Sequence, residues 1–297
     1  MISLFIPSSL EAHMPTEMGK VASLWRYPVK SMRGEELSET ELTEYGLLGD
    51  RAYALIDNAE GKAATAKNPG KWPTLFGCRA MFVDQPKKGA PLPAVHITLH
   101  DGTILTSSAS DCHQILSKLL NRRVTLATAD RGRVSGVQTS LPASWSGKAE
   151  EYWPDMDGLD HRDTVTDFTL PAGTFFDGAI VHLITSATLY RLHDAYPQGR
   201  FEVPRFRPNI VVDITSEDHG FVEQTWIGQT VLIGDVRLSI TGSCSRCVMT
   251  TLAQDDLPKD SGILRTAVQQ NQGNVGVYAK VLHGGILQRG TRVSLSP

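Results

Sequence analysis

Along the 297-residue chain, apolar and polar positions follow the two-residue period of strands far more often than the helical period. The apolar runs are short and broken by Gly, Pro, Asn and Asp, as in a β-rich fold. Residues 20–27 predict a first strand, stopped by Pro28, which has no amide hydrogen for a ladder. Residues 37–45 and 51–57 continue as a meander through the Gly46-Leu-Leu-Gly-Asp50 turn. Residues 75–83 are strand-like, and 95–99 with 103–106 predict a hairpin around His100-Asp101-Gly102. Between Ser107 and Asn121 the period changes, and Ile115, Leu116, Leu119 and Leu120 form a helical stripe.

The second half begins with little periodicity. Residues 130–158, rich in Gly, Ser, Pro and charge, predict a long connector, whose Trp145, Tyr152 and Trp153 suit a lid or channel wall. Phe175-Phe-Asp-Gly178 precedes a buried strand over 179–184. Thr185 and Ser186 then cap a helix over 187–196. Residues 205–210 predict extended chain, which places Arg205 and Arg207 on one face as a possible clamp for an acidic group. A hairpin of residues 226–233 and 236–240 leads to Thr241–Thr251, after which 248–252 again predict a strand. A short helix over 263–269, a strand over 274–281 carrying Tyr278, and a closing strand over 290–295 complete the pattern. The expected fold is α+β and β-rich: a flexible leader (1–18), strands 19–56 packing on a barrel, a smaller α/β lobe (57–127), a connector (128–158) and a barrel-like domain (159–297).

Composition adds mainly exclusions. At 41% hydrophobic and 21% charged residues the chain is an ordinary globular sequence, and a net charge of −3 with no basic stripe predicts no nucleic-acid partner. No run reaches the ~20 apolar residues of a membrane span, and the first residues lack the basic start of a signal peptide. The four cysteines suggest a reducing compartment rather than a disulfide framework, hence a cytoplasmic protein. Cys78 and Cys112 read as small buried hydrophobes.

Chemistry concentrates in Thr241-Gly-Ser-Cys-Ser-Arg-Cys-Val-Met-Thr-Thr251. An ordinary thiol is only about 3% thiolate at pH 7, so Cys244 or Cys247 needs a perturbing charge to act as nucleophile or ligand. Arg246 is adjacent, but in extended chain it faces away from Cys247, which favours a bound metal as the perturbation. Structural zinc needs four ligands, and no second CxxC follows, leaving only His182 and His283 as distant additions. A thioredoxin-type dithiol opens a helix, whereas β-like residues follow here. Glycine fingerprints for nucleotides are absent. Lys30, Ser31, Arg51, Thr185, Ser186, Arg207 and Asn209 all fall at element ends, where cations and free amides suit a large anion, with a soft thiolate nearby for a metal.

Tyr27-Pro-Val-Lys-Ser31, Gly46-Leu-Leu-Gly-Asp-Arg51, Phe206-Arg-Pro-Asn-Ile210 and Cys244-Ser-Arg-Cys-Val-Met-Thr-Thr251 occur in an order that resembles MOSC-domain proteins with the additional N-terminal MOSC region. That group includes the mitochondrial amidoxime-reducing component and bacterial relatives. The resemblance runs over about residues 19–297 and is weakest between 60 and 160. It implies a molybdenum cofactor, Mo-molybdopterin, with Cys247 as metal ligand and catalytic residue. Lys30, Ser31 and Arg51 would hold the pterin phosphate; Thr185, Ser186, Arg207 and Asn209 would line the cofactor, with Ser245, Arg246 and Tyr278 close by. It implies reduction of N-hydroxylated or N-oxide small molecules with electrons from a separate reductase, ferredoxin or haem protein. The alternative is a non-catalytic carrier of the cofactor or of sulfur. Where relatives carry an Asp-Pro-like pair after Thr-Thr, this chain has Leu252-Ala-Gln254.

Overall fold

The computed structural model describes residues 16–129, 141–157, 163–215 and 220–296. A seven-stranded closed barrel organises it. In spatial order the strands are Thr16–Arg26, Ile210–Ile214, Val181–Thr185, Asn274–His283, Val236–Ser245, Thr230–Ile233 and Arg292–Leu295, and the last pairs back onto the first. All neighbours are antiparallel except Val181–Thr185 with Ile210–Ile214. A parallel pair needs a crossover, and helix Ser186–Ala195 lies within it. Alternate strand residues fill the interior, among them Leu24, Leu183, Ile210, Leu238, Ile240 and Val277, with Trp226 completely buried.

A second core lies beside the barrel. Tyr53–Asp57 pairs with Val124–Thr128, and Arg79–Phe82, Val95–Thr98 and Ile104–Thr106 form a three-stranded sheet. Helix Cys112–Leu120 covers them by burying Cys112, Leu116 and Leu120, which the helical repeat stacks on one face. Val29, Met32 and Tyr53 also belong to this core. The segment 19–56 is therefore shared: Val21, Leu24, Leu37, Leu42 and Leu47 pack in the barrel core, and Val29, Met32, Ala52, Tyr53 and Leu55 in the lobe.

Three expectations change. Residues 16–18 are strand rather than leader, held by pairing with Arg292–Leu295; residues 1–15 lie outside the described residues. The expected connector contains strand Lys148–Trp153, paired along its length with Thr164–Thr169; its residues 130–140 and 158 lie outside the described ones. The Tyr152 amide donates to Lys67 O at 2.9 Å and the Ala63 amide to Lys148 O at 2.9 Å, so this hairpin is docked onto the lobe. Trp145 packs edge-on against Phe175 with ring centroids 5.8 Å apart. Finally, Val248–Thr251 is a 3-10 turn rather than a strand. The Thr250 and Thr251 hydroxyls donate back to Cys247 O at 3.0 Å and Val248 O at 2.7 Å, the local competition with a ladder that such side chains favour.

Candidate functional site

Between barrel and lobe runs an open cleft with a cavity volume of about 90 Å³, smaller than the roughly 300 Å³ or more of a preformed small-molecule pocket. Its lining joins residues far apart in sequence: Lys30, Ser31 and Arg51; Lys67; Phe175 to Ala179; Arg207 and Asn209; and Cys244 to Cys247 with Tyr278.

Asp50 sets the first group. It is completely buried and accepts hydrogen bonds from the Tyr27 amide at 2.7 Å and Asn209 Nδ2 at 2.9 Å, besides its contact with Arg51. The Asp50 end of the adjacent Asp50–Arg51 pair is therefore a buried anchor. The Arg51 amide donates to Tyr27 O at 2.8 Å, and its guanidinium lies 4.5 Å from the Tyr27 ring centre. Lys30 donates to Phe175 O at 3.0 Å and to the Asp177 carboxylate.

The two arginines read as one clamp separate completely. Residues Val203–Phe206 form a short helix with Pro204 in its first turn, and Arg207 ends it in left-handed backbone at φ 52°. Arg207 enters the cleft, donating to Met32 O at 2.6 Å with its guanidinium 4.2 Å from the Tyr27 ring centre. Arg205 turns inward and donates to the carbonyls of Arg200, Thr250, Leu252 and Pro258. It braces the segment after the cysteines. Asn209 lines the cleft while latching two strands, accepting from the His182 amide at 3.1 Å.

Thr185 and Ser186 do not reach the cleft lining. Thr185 caps its helix and donates to buried Glu223, while Ser186 donates to Asp213 at 3.0 Å. Both hydroxyls are consumed by the crossover, and Gly178 and Ala179 stand in the cleft instead. Ser245, Arg246 and Tyr278 are present as expected. The sequence reading missed Lys67, Asp177, His182 and Cys244 as cleft residues. Lys67 and Asp177 bore no local pattern, although Phe175-Phe-Asp-Gly178 offered a signal as a turn ahead of a buried strand.

The two thiols differ. Cys244 is completely buried at the end of its strand, and Arg246 donates to its Sγ at 2.8 Å. Burial pushes the Cys244 thiol up, but Arg246 and then His182 outweigh it and favour the thiolate. Cys247 is half-buried beside Ala66, Phe76 and Met249. Burial pushes its thiol up; the largest opposing influence is Lys67, ahead of Arg246. Arg246 hydrogen-bonds Cys244 rather than Cys247, although its charge also acts on Cys247.

The charge balance of the cleft tests what it can hold. Five cations, Lys30, Arg51, Lys67, Arg207 and Arg246, face it with one carboxylate, Asp177. Burial opposes ionisation of Asp177, yet Lys30 and Lys67 hold it well below the usual carboxylate range. Burial, then the Arg51 charge, lowers Arg207 to about 10. Arg246 Nε is buried with no partner. Among the described residues there is no group of three or more His, Cys, Asp or Glu able to hold a metal ion. Five cations against one carboxylate suit an anionic ligand, and a thiol beside them is a soft donor for a metal that such a ligand would bring.

Two family models match the chain: the MOSC domain over residues 172–294 and the MOSC N-terminal beta barrel domain over residues 18–144. The chain is 28% identical over 255 residues to mitochondrial amidoxime-reducing component 1 of Mus musculus, covering 80% of this chain and 67% of that protein. It is 29% identical over 257 residues to mitochondrial amidoxime reducing component 2 of Macaca fascicularis, covering 80% and 68%. Among solved structures, the YUAD protein from Bacillus subtilis aligns over 94% of this chain and 95% of that one, with TM-score 0.43 and 9% identity.

Proposed function

Because the chain belongs to the MOSC-domain proteins that carry the MOSC N-terminal barrel, we propose that it binds a molybdenum cofactor and reduces N-hydroxylated or N-oxide small molecules. Electrons come from a separate reductase, ferredoxin or haem protein. The observation behind this reading is the concentration of five cations around one half-buried thiol, Cys247. Lys30, Ser31 and Arg51 hold the phosphate, and Arg207, Asn209, Ser245, Arg246 and Tyr278 line the pterin. Cys247 supplies the thiolate ligand. When bound, the cofactor supplies two-electron redox and oxygen-transfer chemistry. The chain's part is to neutralise its charge, fix its orientation and limit the access of water. With Thr185 and Ser186 engaged in the crossover, the backbone of Gly178 and Ala179 occupies the wall where hydroxyls were expected. The free cysteines suit a reducing, cytoplasmic setting, and no helix among the described residues is long and apolar enough to cross a membrane.

The test is metal analysis of protein made in a cofactor-competent host, wild type beside Cys247→Ser. Molybdenum should accompany the wild type and fall sharply in the variant; equal metal in both refutes the ligand assignment. Benzamidoxime reduction with an artificial electron donor separates a reductase from a carrier of the cofactor, because a carrier binds molybdenum without turnover.

A further inference from the structure

Lys67 lies in the stretch where sequence signals are weakest, yet its side chain enters the cleft from the lobe opposite the cysteines. Its position is fixed from three sides. Glu151 Oε2 accepts from Nζ at 3.2 Å, Asp177 Oδ2 lies 3.4 Å away, and the Phe168 ring centre is 4.6 Å from Nζ. Its carbonyl accepts from the Tyr152 amide at 2.9 Å, and its own amide donates to Thr65 Oγ1 at 3.1 Å. An ammonium has three hydrogens, and these contacts leave one for a ligand in the cleft.

In the reading above the other cleft cations serve the cofactor, Lys30 and Arg51 its phosphate and Arg207 and Arg246 the pterin. Lys30 is held by Phe175 O and Asp177, Arg51 by Asp50, Arg207 by Met32 O, and Arg246 by Cys244 and Phe206 O. Ala66, the chain neighbour of Lys67, belongs to the small cluster against which Cys247 packs, and both Lys67 and Cys247 line the cleft. It therefore combines a spare donor with proximity to the proposed metal ligand.

We propose that Lys67 is a catalytic residue that hydrogen-bonds the oxygen leaving the substrate nitrogen. The proposal rests on the reductase reading above. In the reaction the N–O bond breaks, and the substrate takes two electrons from the partner donor and two protons from water. The products are the N–H compound and one molecule of water. Negative charge grows on the oxygen as the bond breaks, and a fixed ammonium at that point stabilises the transition state more than the neutral ground state. Asp177 and Glu151, with Cys247, hold Lys67 protonated against the effect of burial, so it donates a hydrogen bond and does not surrender the proton.

Lys67→Met, Lys67→Arg and Glu151→Gln, made with wild type in a cofactor-competent host, test this. With benzamidoxime and an artificial donor, Lys67→Met should lose about 100-fold in kcat at unchanged molybdenum content, and Lys67→Arg should recover most of it. Glu151→Gln removes a brace and keeps the donor, so its kcat should stay within about tenfold of wild type. A second readout needs no turnover: calorimetric affinities for benzamidoxime and benzamidine in the absence of donor. Wild type should prefer the N-hydroxylated ligand, and Lys67→Met should weaken that preference by about tenfold. An unchanged preference and kcat in Lys67→Met overturn the assignment, as does an equal loss in Glu151→Gln. Wild-type protein that carries molybdenum without turning over benzamidoxime defeats the reductase reading instead, and the affinity comparison still decides the contact to Lys67.

Discussion

Arg205 and Arg207 look equivalent in sequence and should respond oppositely to removal. Arg207 is lowered from the ordinary arginine range to about 10, first by burial and then by repulsion from Arg51, equivalent to about 3 kcal/mol of penalty for keeping it charged at neutral pH. Its folded pKa lies below the unfolded one, so this penalty stays constant through neutral pH and is relieved only as pH rises through about 10. Arg207→Met removes the penalty but forfeits the Met32 carbonyl bond and the Tyr27 ring contact, together worth about 3 kcal/mol. The net change should lie within about 1–2 kcal/mol of zero. Arg205→Met instead strips donors from four carbonyls, at a cost of about 4 kcal/mol or more. Thermal unfolding of protein made without molybdenum should therefore show a small shift for Arg207→Met and a fall on the order of 10 °C for Arg205→Met. In a cofactor-competent host, Arg207→Met should lose molybdenum although it folds. Comparable destabilisation by both substitutions would refute the reasoning, since it would make Arg207 a structural residue.

Thr185→Val should leave molybdenum content at the wild-type level while costing about 1–2 kcal/mol through loss of its cap and of the Glu223 contact; Ser186→Ala should also retain metal. Depletion of molybdenum in a folded form of either variant would return these hydroxyls to the cofactor. Glu223 is raised by burial despite the hydroxyls of Thr185 and Thr188. The folded protein thus keeps a proton that the unfolded chain releases, and this contribution is present at low pH and lost as pH rises through the raised folded value. Glu223→Gln should accordingly gain on wild type in melting temperature as pH rises above the ordinary glutamate range, and a gap independent of pH would contradict the burial argument.

The barrel was legible because its strands obey the simplest rule available, with alternate residues inside and Gly or Pro at their ends. Leu238 and Ile240 are buried and Arg237 and Thr241 exposed on one continuous strand, and the sequence shows that period directly. The lobe was harder to delimit. Val29 and Met32 lie in it because the chain crosses over after Pro28, and no residue in that loop announces which core will receive it. The error at 248–252 has a definite cause: β-branched threonines that suit a strand also have hydroxyls able to close a tight turn, and here the turn prevails. Asp177 and Lys67 were illegible for a different reason. A carboxylate between two lysines is defined by side chains arriving from positions 30 and 67, so its meaning is tertiary.

Backbone conformation links these points to function. Seven non-glycine residues have positive φ among those described, and three of them, Ser31, Arg51 and Arg207, line the cleft. Left-handed backbone costs a non-glycine residue about 1–2 kcal/mol, and glycine would remove most of that cost at any of the three. Glycine would also remove the hydroxyl or guanidinium that faces the cleft. The surrounding structure holds each strained position: Lys30 N donates to Tyr53 O ahead of Ser31, Arg51 N to Tyr27 O, and Arg207 N to Val203 O. Strain retained where a cheaper residue exists implies that the side chain is needed there. In the proposed function all three serve as donors to the same anion, and on that reading the local cost belongs to the site rather than to the fold.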